Sequence, residues 1–247
     1  MKVHEQIITA KKSGKKQFAV LIDPDKVGTS GLEALVQNAN DSQVDFFFVG
    51  GSLITNNNLD KCIDVLKANS NIPVVLFPGN TLQISAKADA ILLLSVISGR
   101  NPEMLIGRHV IAAPMLKSSG LEIIPTGYML IESGKATSAS YMSNTTPIPH
   151  DKNDIAVCTA MAGEMLGLQC IFLDGGSGAT QPISPEMIKA VSDNLNIPLI
   201  AGGGITTAEK ALENCKAGAE IIVIGNAIEK HNGLVSEVAE AVHSCLL

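Results

Sequence analysis

The chain has no tryptophan and only two tyrosines, Tyr128 and Tyr141. Such scarcity fits neither an antibody-like sandwich nor an aromatic stacking platform for single-stranded nucleic acid. There is no dense Lys/Arg run, and the formal charge is −6, so a nucleic-acid partner has little electrostatic support. An acidic total does not exclude an anionic substrate, because backbone N–H groups at helix starts supply local positive potential. No CxxC occurs. The five cysteines, Cys62, Cys158, Cys170, Cys215 and Cys245, are scattered in apolar or helical contexts and read as reduced thiols of a cytoplasmic protein. The opening residues, MKVHEQIITAKKSGKKQFAV, lack the apolar run of a secretory signal, and no segment reaches the length of a membrane span. The five histidines, His4, His109, His150, His231 and His243, show neither metal-ligand spacing nor a defensible Ser–His–Asp order.

What is present is a chain of 247 residues, 46% hydrophobic and 17% charged, able to bury a large core. Apolar runs that read as strands recur at Phe18–Ile22, Val44–Val49, Val74–Phe77, Ala90–Leu94, Glu122–Ile124, Cys170–Leu173, Pro198–Ala201 and Ile221–Ile224. They are short and almost continuously apolar, as in a sheet covered on both faces. Helical patterns lie between them at Ser30–Asn40, Asn57–Ala68, Pro102–Ile106, Asp151–Leu168, Pro185–Asn194, Thr207–Lys216 and Leu234–Leu246. Eight strands alternating with helices predict an α/β fold, a TIM-type (β/α)8 barrel spanning residues 1–247 as a single domain. Helical character around Ile84–Lys87 is weak, so one helix near the third strand is expected to be short or absent. The Pro-containing stretch Asn144–Asp154 reads as a long connection before a helix, with Asp151 or Asn153 as its cap.

Glycines mark the ends of the late strands. Gly202, Gly203 and Gly204 follow the seventh, Gly225 and Asn226 the eighth, and LDGGSGA (Leu173–Ala179), with its Ser177 hydroxyl, the sixth. Each could simply make a tight turn. Together, at the end of an eight-strand pattern, they point to a phosphate site, since glycine lets backbone amides approach an anion and barrels bind phosphate after their last two strands. Neither the P-loop nor the dinucleotide fingerprint is matched, so the ligand is a small phosphate ester. At the first strand, LIDPDK places Asp23 and Asp25 together, and Ser52 follows the second in VGGSLIT. Asp23 with Ser52 makes a sparse oxygen site for Mg2+, completed by water and substrate phosphate; alternatively, Asp25 caps a turn shaped by Pro24. Asp174, at the end of the sixth strand, is either a general base or a turn cap before Gly175. Glu132 is a weaker candidate.

In this order, LIDPDK, VGGSLIT, FLDGGSGA, AGGGI and VIGNAI resemble the geranylgeranylglyceryl phosphate synthase family, over roughly Phe18 to Glu229. The segment PIPHDKNDIAVCTAMAGEMLGL narrows the resemblance to group II, related to the heptaprenylglyceryl phosphate synthases. Group I carries a lysine where this chain has Leu21. The resemblance implies Mg2+-dependent transfer of a prenyl group from a polyprenyl diphosphate, geranylgeranyl or else heptaprenyl, to the sn-3 hydroxyl of sn-glycerol 1-phosphate. By motif position, Asp23 and Ser52 hold the metal. Phe172, Leu173, Asp174, Gly175, Gly176, Ser177 and Gly178 bind glycerol 1-phosphate with Gly203, Gly204, Gly225 and Asn226. Asp174 is the catalytic carboxylate, and Tyr128 lines the reaction region. The family commonly has Tyr and Glu at positions 172 and 174. Ile97, Leu105 and Met129 are expected along a prenyl groove, and a homo-oligomer, dimer or hexamer, is implied. Two rival readings remain: a sugar-phosphate isomerase using Asp23 and Asp174 as its acid/base pair, and a non-catalytic phosphate-binding carrier.

Overall fold

The computed structural model describes residues 1–26, 28–231 and 233–245. A short N-terminal helix, α1 (Val3–Lys12), precedes the alternation β1 (Gln17–Ile22), α2 (Thr29–Asp41), β2 (Phe46–Val49), α3 (Leu59–Asn69), β3 (Val74–Leu76) and β4 (Ala90–Val96). A π-helical turn at Glu103–Gly107 runs into α4 (Arg108–Ser119), followed by β5 (Glu122–Leu130), α5 (Ser138–Ser143), α6 (Asn153–Met165), β6 (Cys170–Asp174) and α7 (Pro185–Ser192). The chain continues through β7 (Leu199–Gly202), α8 (Ala208–Lys216), β8 (Ile221–Ile224), α9 (Asn226–Lys230) and α10 (Leu234–His243). The eight strands form one closed parallel barrel in sequence order, β8 pairing with β1 through Phe18–Ile222 and Ala19–Val223. The Leu246 end of the expected last helix lies outside the described residues. Among those residues, no helix is long and apolar enough to cross a membrane.

Both faces of the sheet are buried, which is why its strands read as unbroken apolar runs. Successive side chains alternate between faces. Phe46, Phe48, Leu92, Tyr128, Phe172, Ile200 and Val223 fill the barrel interior, while Phe47, Val49, Met129, Ile171 and Leu173 pack outward against the helices. An aromatic column, with Phe46 against Phe48, Phe48 against Phe77 and Phe77 against Phe172, runs through the barrel at centroid separations of 6.2, 6.4 and 5.1 Å. At its floor, α1 contributes Val3 and Ile7 to the same cluster. The Glu122 carboxylate accepts the α1 amides of Val3 and His4 at 2.6 and 3.2 Å, satisfying donors left free at a helix start.

Among the described residues no helix lies between β3 and β4, as the weak pattern there foretold. Gln83 holds this loop instead. Its side-chain oxygen accepts the amides of Gly51 and Gly79, at 3.2 and 3.1 Å, and its nitrogen donates to the Gly51 carbonyl at 2.8 Å. The largest corrections fall around β5 and α4. The strand expected at Glu122–Ile124 runs on to Leu130, and Pro125 still accepts from the Gln169 amide at 2.7 Å. The helix predicted at Pro102–Ile106 extends instead to Ser119, through Pro114. Neither Asp151 nor Asn153 caps α6, whose N-cap residue is Lys152.

Candidate active site

In a parallel barrel every strand ends at the same rim, so residues far apart in sequence meet there. A cleft of about 1610 Å³, counting its open mouth, is lined by Asp23, Ser52, Tyr128, Phe172, Asp174, Gly176, Ser177, Gly178, Gly203, Gly204, Gly225 and Asn226. Two members of the expected phosphate segment do not line it. Leu173 falls on the outward face of β6 and packs in the outer core, and the Gly175 amide is taken by the Gly202 carbonyl at 3.1 Å. Glu132 also lies outside the cleft.

The glycine loops are tightly nested. Gly203 has φ +82°, and a Cβ there would lie 2.6 Å from the amide nitrogens of both Gly175 and Gly176, so only glycine fits. Asn226 reaches across to this loop, its amide nitrogen donating to the Ser177 hydroxyl at 2.6 Å. Three strand ends are thereby tied around one small volume rich in backbone amides, an arrangement suited to a phosphate.

Asp174 is buried at the wall of this volume. One carboxylate oxygen accepts the Gly176 amide at 2.6 Å, and the other accepts the Tyr128 hydroxyl. Burial pushes its pKa up, opposed by those two hydrogen bonds; burial and the adjacent Asp174 charge push the Tyr128 phenol well up. A carboxylate so placed favours taking a proton from a ligand hydroxyl. Tyr128 is held by edge contacts to Phe77 and Phe172 at 5.8 and 5.6 Å.

Asp23 and Ser52 share the cleft. A Cβ on Gly51, the residue before Ser52, would lie 3.4 Å from the Asp23 carboxylate, so that carboxylate occupies the space glycine leaves. Among the described residues no three His, Cys, Asp or Glu side chains converge on a metal position. The donor set, one carboxylate and one hydroxyl beside open space, still fits a hard cation that keeps most ligands from water and phosphate. Asp25 does not join them. Its carboxylate accepts the Thr55 amide and hydroxyl, at 2.5 and 2.9 Å, and the Asn56 amide, and the Thr55 amide in particular holds its pKa down. It clasps two loops together.

The cleft opens into a second space. Gly51, Ser52, Phe77, Tyr128 and Ala139 line both the cleft and an apolar groove of about 880 Å³, counting its open mouth, that runs between the β3–β4 loop, β4 and α4, walled by Leu93, Met104, Ala112, Leu116 and Met142. The groove exists because no helix covers the β3–β4 side. The three residues expected along a prenyl groove do not line it. Met129 is the outward neighbour of Tyr128 and lies in the outer core, while Ile97 and Leu105 line a separate surface depression beside α6. The residues that do wall it carry only the usual signal of core residues, and α4, which supplies two of them, has no counterpart among the expected helices.

The PcrB family model matches residues 10–243. The geranylgeranylglyceryl phosphate synthase of Chitinophaga pinensis is 57% identical over 243 residues, covering 98% of this chain and 96% of its own. Among solved structures, the wild-type GGGPS of Thermoplasma volcanium superposes with a TM-score of 0.93 at 31% identity, covering 100% of both chains. The (S)-3-O-geranylgeranylglyceryl phosphate synthase of Thermoplasma acidophilum, solved in complex with its substrate sn-glycerol-1-phosphate, gives 0.92 at 29% identity and covers 98% of this chain and 99% of that one. Match length, identity and barrel geometry agree, and the chain belongs to the PcrB family, that of the geranylgeranylglyceryl phosphate synthases.

Proposed function

We propose that this chain transfers a geranylgeranyl group from geranylgeranyl diphosphate to the sn-3 hydroxyl of sn-glycerol 1-phosphate, forming an ether and releasing diphosphate. The observation that carries this reading is the junction of an amide-rich polar cleft with an apolar groove at Tyr128 and Phe77. A phosphate ester fits one and a prenyl chain the other. A sugar-phosphate isomerase has no use for the groove.

Glycerol 1-phosphate is anchored by the loops at Gly176–Gly178, Gly203–Gly204 and Gly225–Asn226, which turns its hydroxyl toward Asp174. The prenyl chain lies in the groove with its diphosphate toward Asp23 and Ser52. Mg2+ held by those two residues supplies charge stabilisation for the departing diphosphate when bound. As the allylic C–O bond breaks, the glycerol oxygen forms the new C–O bond and its proton passes to Asp174. Tyr128 fixes the carboxylate through its hydroxyl, while Phe172, which has no donor, contributes only its ring beside it. The apolar groove excludes water, which would otherwise capture the electron-deficient carbon.

The reading extends to group II membership, with heptaprenyl diphosphate as the alternative donor, to a cytoplasmic location and to no nucleic-acid partner. Exposed Val110, Ile111 and Met115 on α4 support self-association into a dimer or hexamer. The test is an incubation of purified protein with Mg2+, labelled sn-glycerol 1-phosphate and geranylgeranyl or heptaprenyl diphosphate. The glycerol 3-phosphate enantiomer and EDTA serve as controls. A lipid-soluble product from the 1-phosphate alone, lost with EDTA, is expected. No product from folded protein with either donor would refute the assignment.

A further inference from the structure

Lys26 lines the cleft as its one lysine or arginine among the described lining residues, while the Lys135 ammonium stands beside the phosphate loop alone, 3.4 Å from where a Cβ on Gly178 would lie. The proposed reaction brings a phosphate monoester and a diphosphate into that one space, beside the carboxylates of Asp23 and Asp174. Lys26 is also placed between the two ends of the cleft. Its ammonium lies 3.2 Å from an Asp23 carboxylate oxygen and 3.1 Å from the Asn226 side-chain oxygen. Through Asn226 and its 2.6 Å bond to Ser177, a polar chain from β1 to β8 to β6 closes across the mouth.

The i,i+3 contact to Asp23, with the lysine side chain 45% exposed, would by itself be a surface ion pair of little consequence. Such a pair does not account for the second contact, made to a residue 200 positions away in the phosphate loops. A partly exposed ammonium on a four-carbon stem can exchange these oxygens for those of a ligand with little displacement. We propose that Lys26 is a substrate-binding residue whose ammonium bridges the two bound anions, the glycerol phosphate at Asn226 and the prenyl diphosphate at Asp23. This rests on the transferase reading of the site.

The test compares wild type, Lys26→Met and Lys26→Arg. Calorimetric titration with sn-glycerol 1-phosphate, without metal or prenyl donor, reads the phosphate side alone. Lys26→Met is expected to weaken binding about tenfold, as for loss of one charge-assisted hydrogen bond. Lys26→Arg, which keeps the charge, restores most of it. In steady-state transfer, Lys26→Met raises KM for both substrates more than it lowers kcat. Wild-type affinity in Lys26→Met, with KM for the prenyl diphosphate unchanged, overturns the proposal while leaving the transferase reading intact. Failure of the wild type to bind glycerol 1-phosphate overturns both.

Discussion

Tyr128→Phe removes one hydroxyl and leaves the ring contacts with Phe77 and Phe172 in place. In the wild type that hydroxyl donates to Asp174, a buried carboxylate whose remaining protein donor is the Gly176 amide. A hydrogen bond to a charged group contributes about 1.5–3 kcal/mol. Losing it disfavours ionised Asp174, whose pKa burial already raises and the Tyr128 bond pulls back. In the proposed role Asp174 must be ionised to accept the glycerol proton, so the acid limb of the rate profile moves to higher pH. On that limb the rate falls about ten- to hundredfold, since each 1.4 kcal/mol is about a factor of ten, and it recovers in part at alkaline pH. Stability follows the same sign. With a folded pKa above the unfolded one, Asp174 takes up its proton on folding as pH falls. Its burial therefore destabilises above the folded pKa and is relieved below it. The variant is accordingly less stable than wild type at high pH, and the difference narrows in acid. Initial rates across pH, with urea unfolding at each pH, measure both. Profiles superimposable on the wild type would refute the role given to this hydroxyl, and with it the identification of Asp174 as the base.

Three further outcomes follow from the geometry. Gly203→Ala forces a Cβ to within 2.6 Å of two amide nitrogens at φ +82°; it should cost about 1–3 kcal/mol in urea unfolding and raise KM for glycerol 1-phosphate. Ala112→Phe fills part of the groove wall. Geranylgeranyl transfer should drop about tenfold while a shorter prenyl diphosphate is spared, a loss on the scale of burying about two methylenes, measured as a ratio of kcat/KM values. Asp23→Asn should leave glycerol 1-phosphate binding intact, by calorimetry, but require more Mg2+ for half-maximal transfer, whereas EDTA abolishes wild-type turnover reversibly.

The barrel was legible because its physics is local. Strands buried on both faces must be apolar throughout, and Phe18–Ile22 or Ile221–Ile224 are nothing else. The candidate site was legible for a related reason: glycines mark the ends of β6, β7 and β8, and at Gly203 glycine is required because two amides crowd against it. What could not be read depends on packing between distant elements. Met129 and Tyr128 are adjacent and equally apolar in context, and only strand parity decides which faces the reaction. Pro125 and Pro114 obey no local rule for strand or helix. β5 runs through Pro125, which still accepts from the Gln169 amide, and α4 runs through Pro114, beyond the helix expected at Pro102–Ile106. Gln83 and Lys26 gave no local signal because their partners, Gly51 and Asn226, lie elsewhere in the chain. Asp25 was ambiguous with Asp23 until Thr55 and Asn56 were seen to occupy it.

The central claim is that one continuous cavity receives both substrates and joins them at Asp174. It is tested most directly by a crystal structure with sn-glycerol 1-phosphate and a non-hydrolysable geranylgeranyl thiolodiphosphate bound together. The account predicts the glycerol phosphate against Gly203–Gly204 and Gly225–Asn226, its free hydroxyl within hydrogen-bond distance of Asp174, and the prenyl chain between Phe77 and α4. A prenyl chain outside the groove, or a glycerol hydroxyl turned away from Asp174, would contradict it.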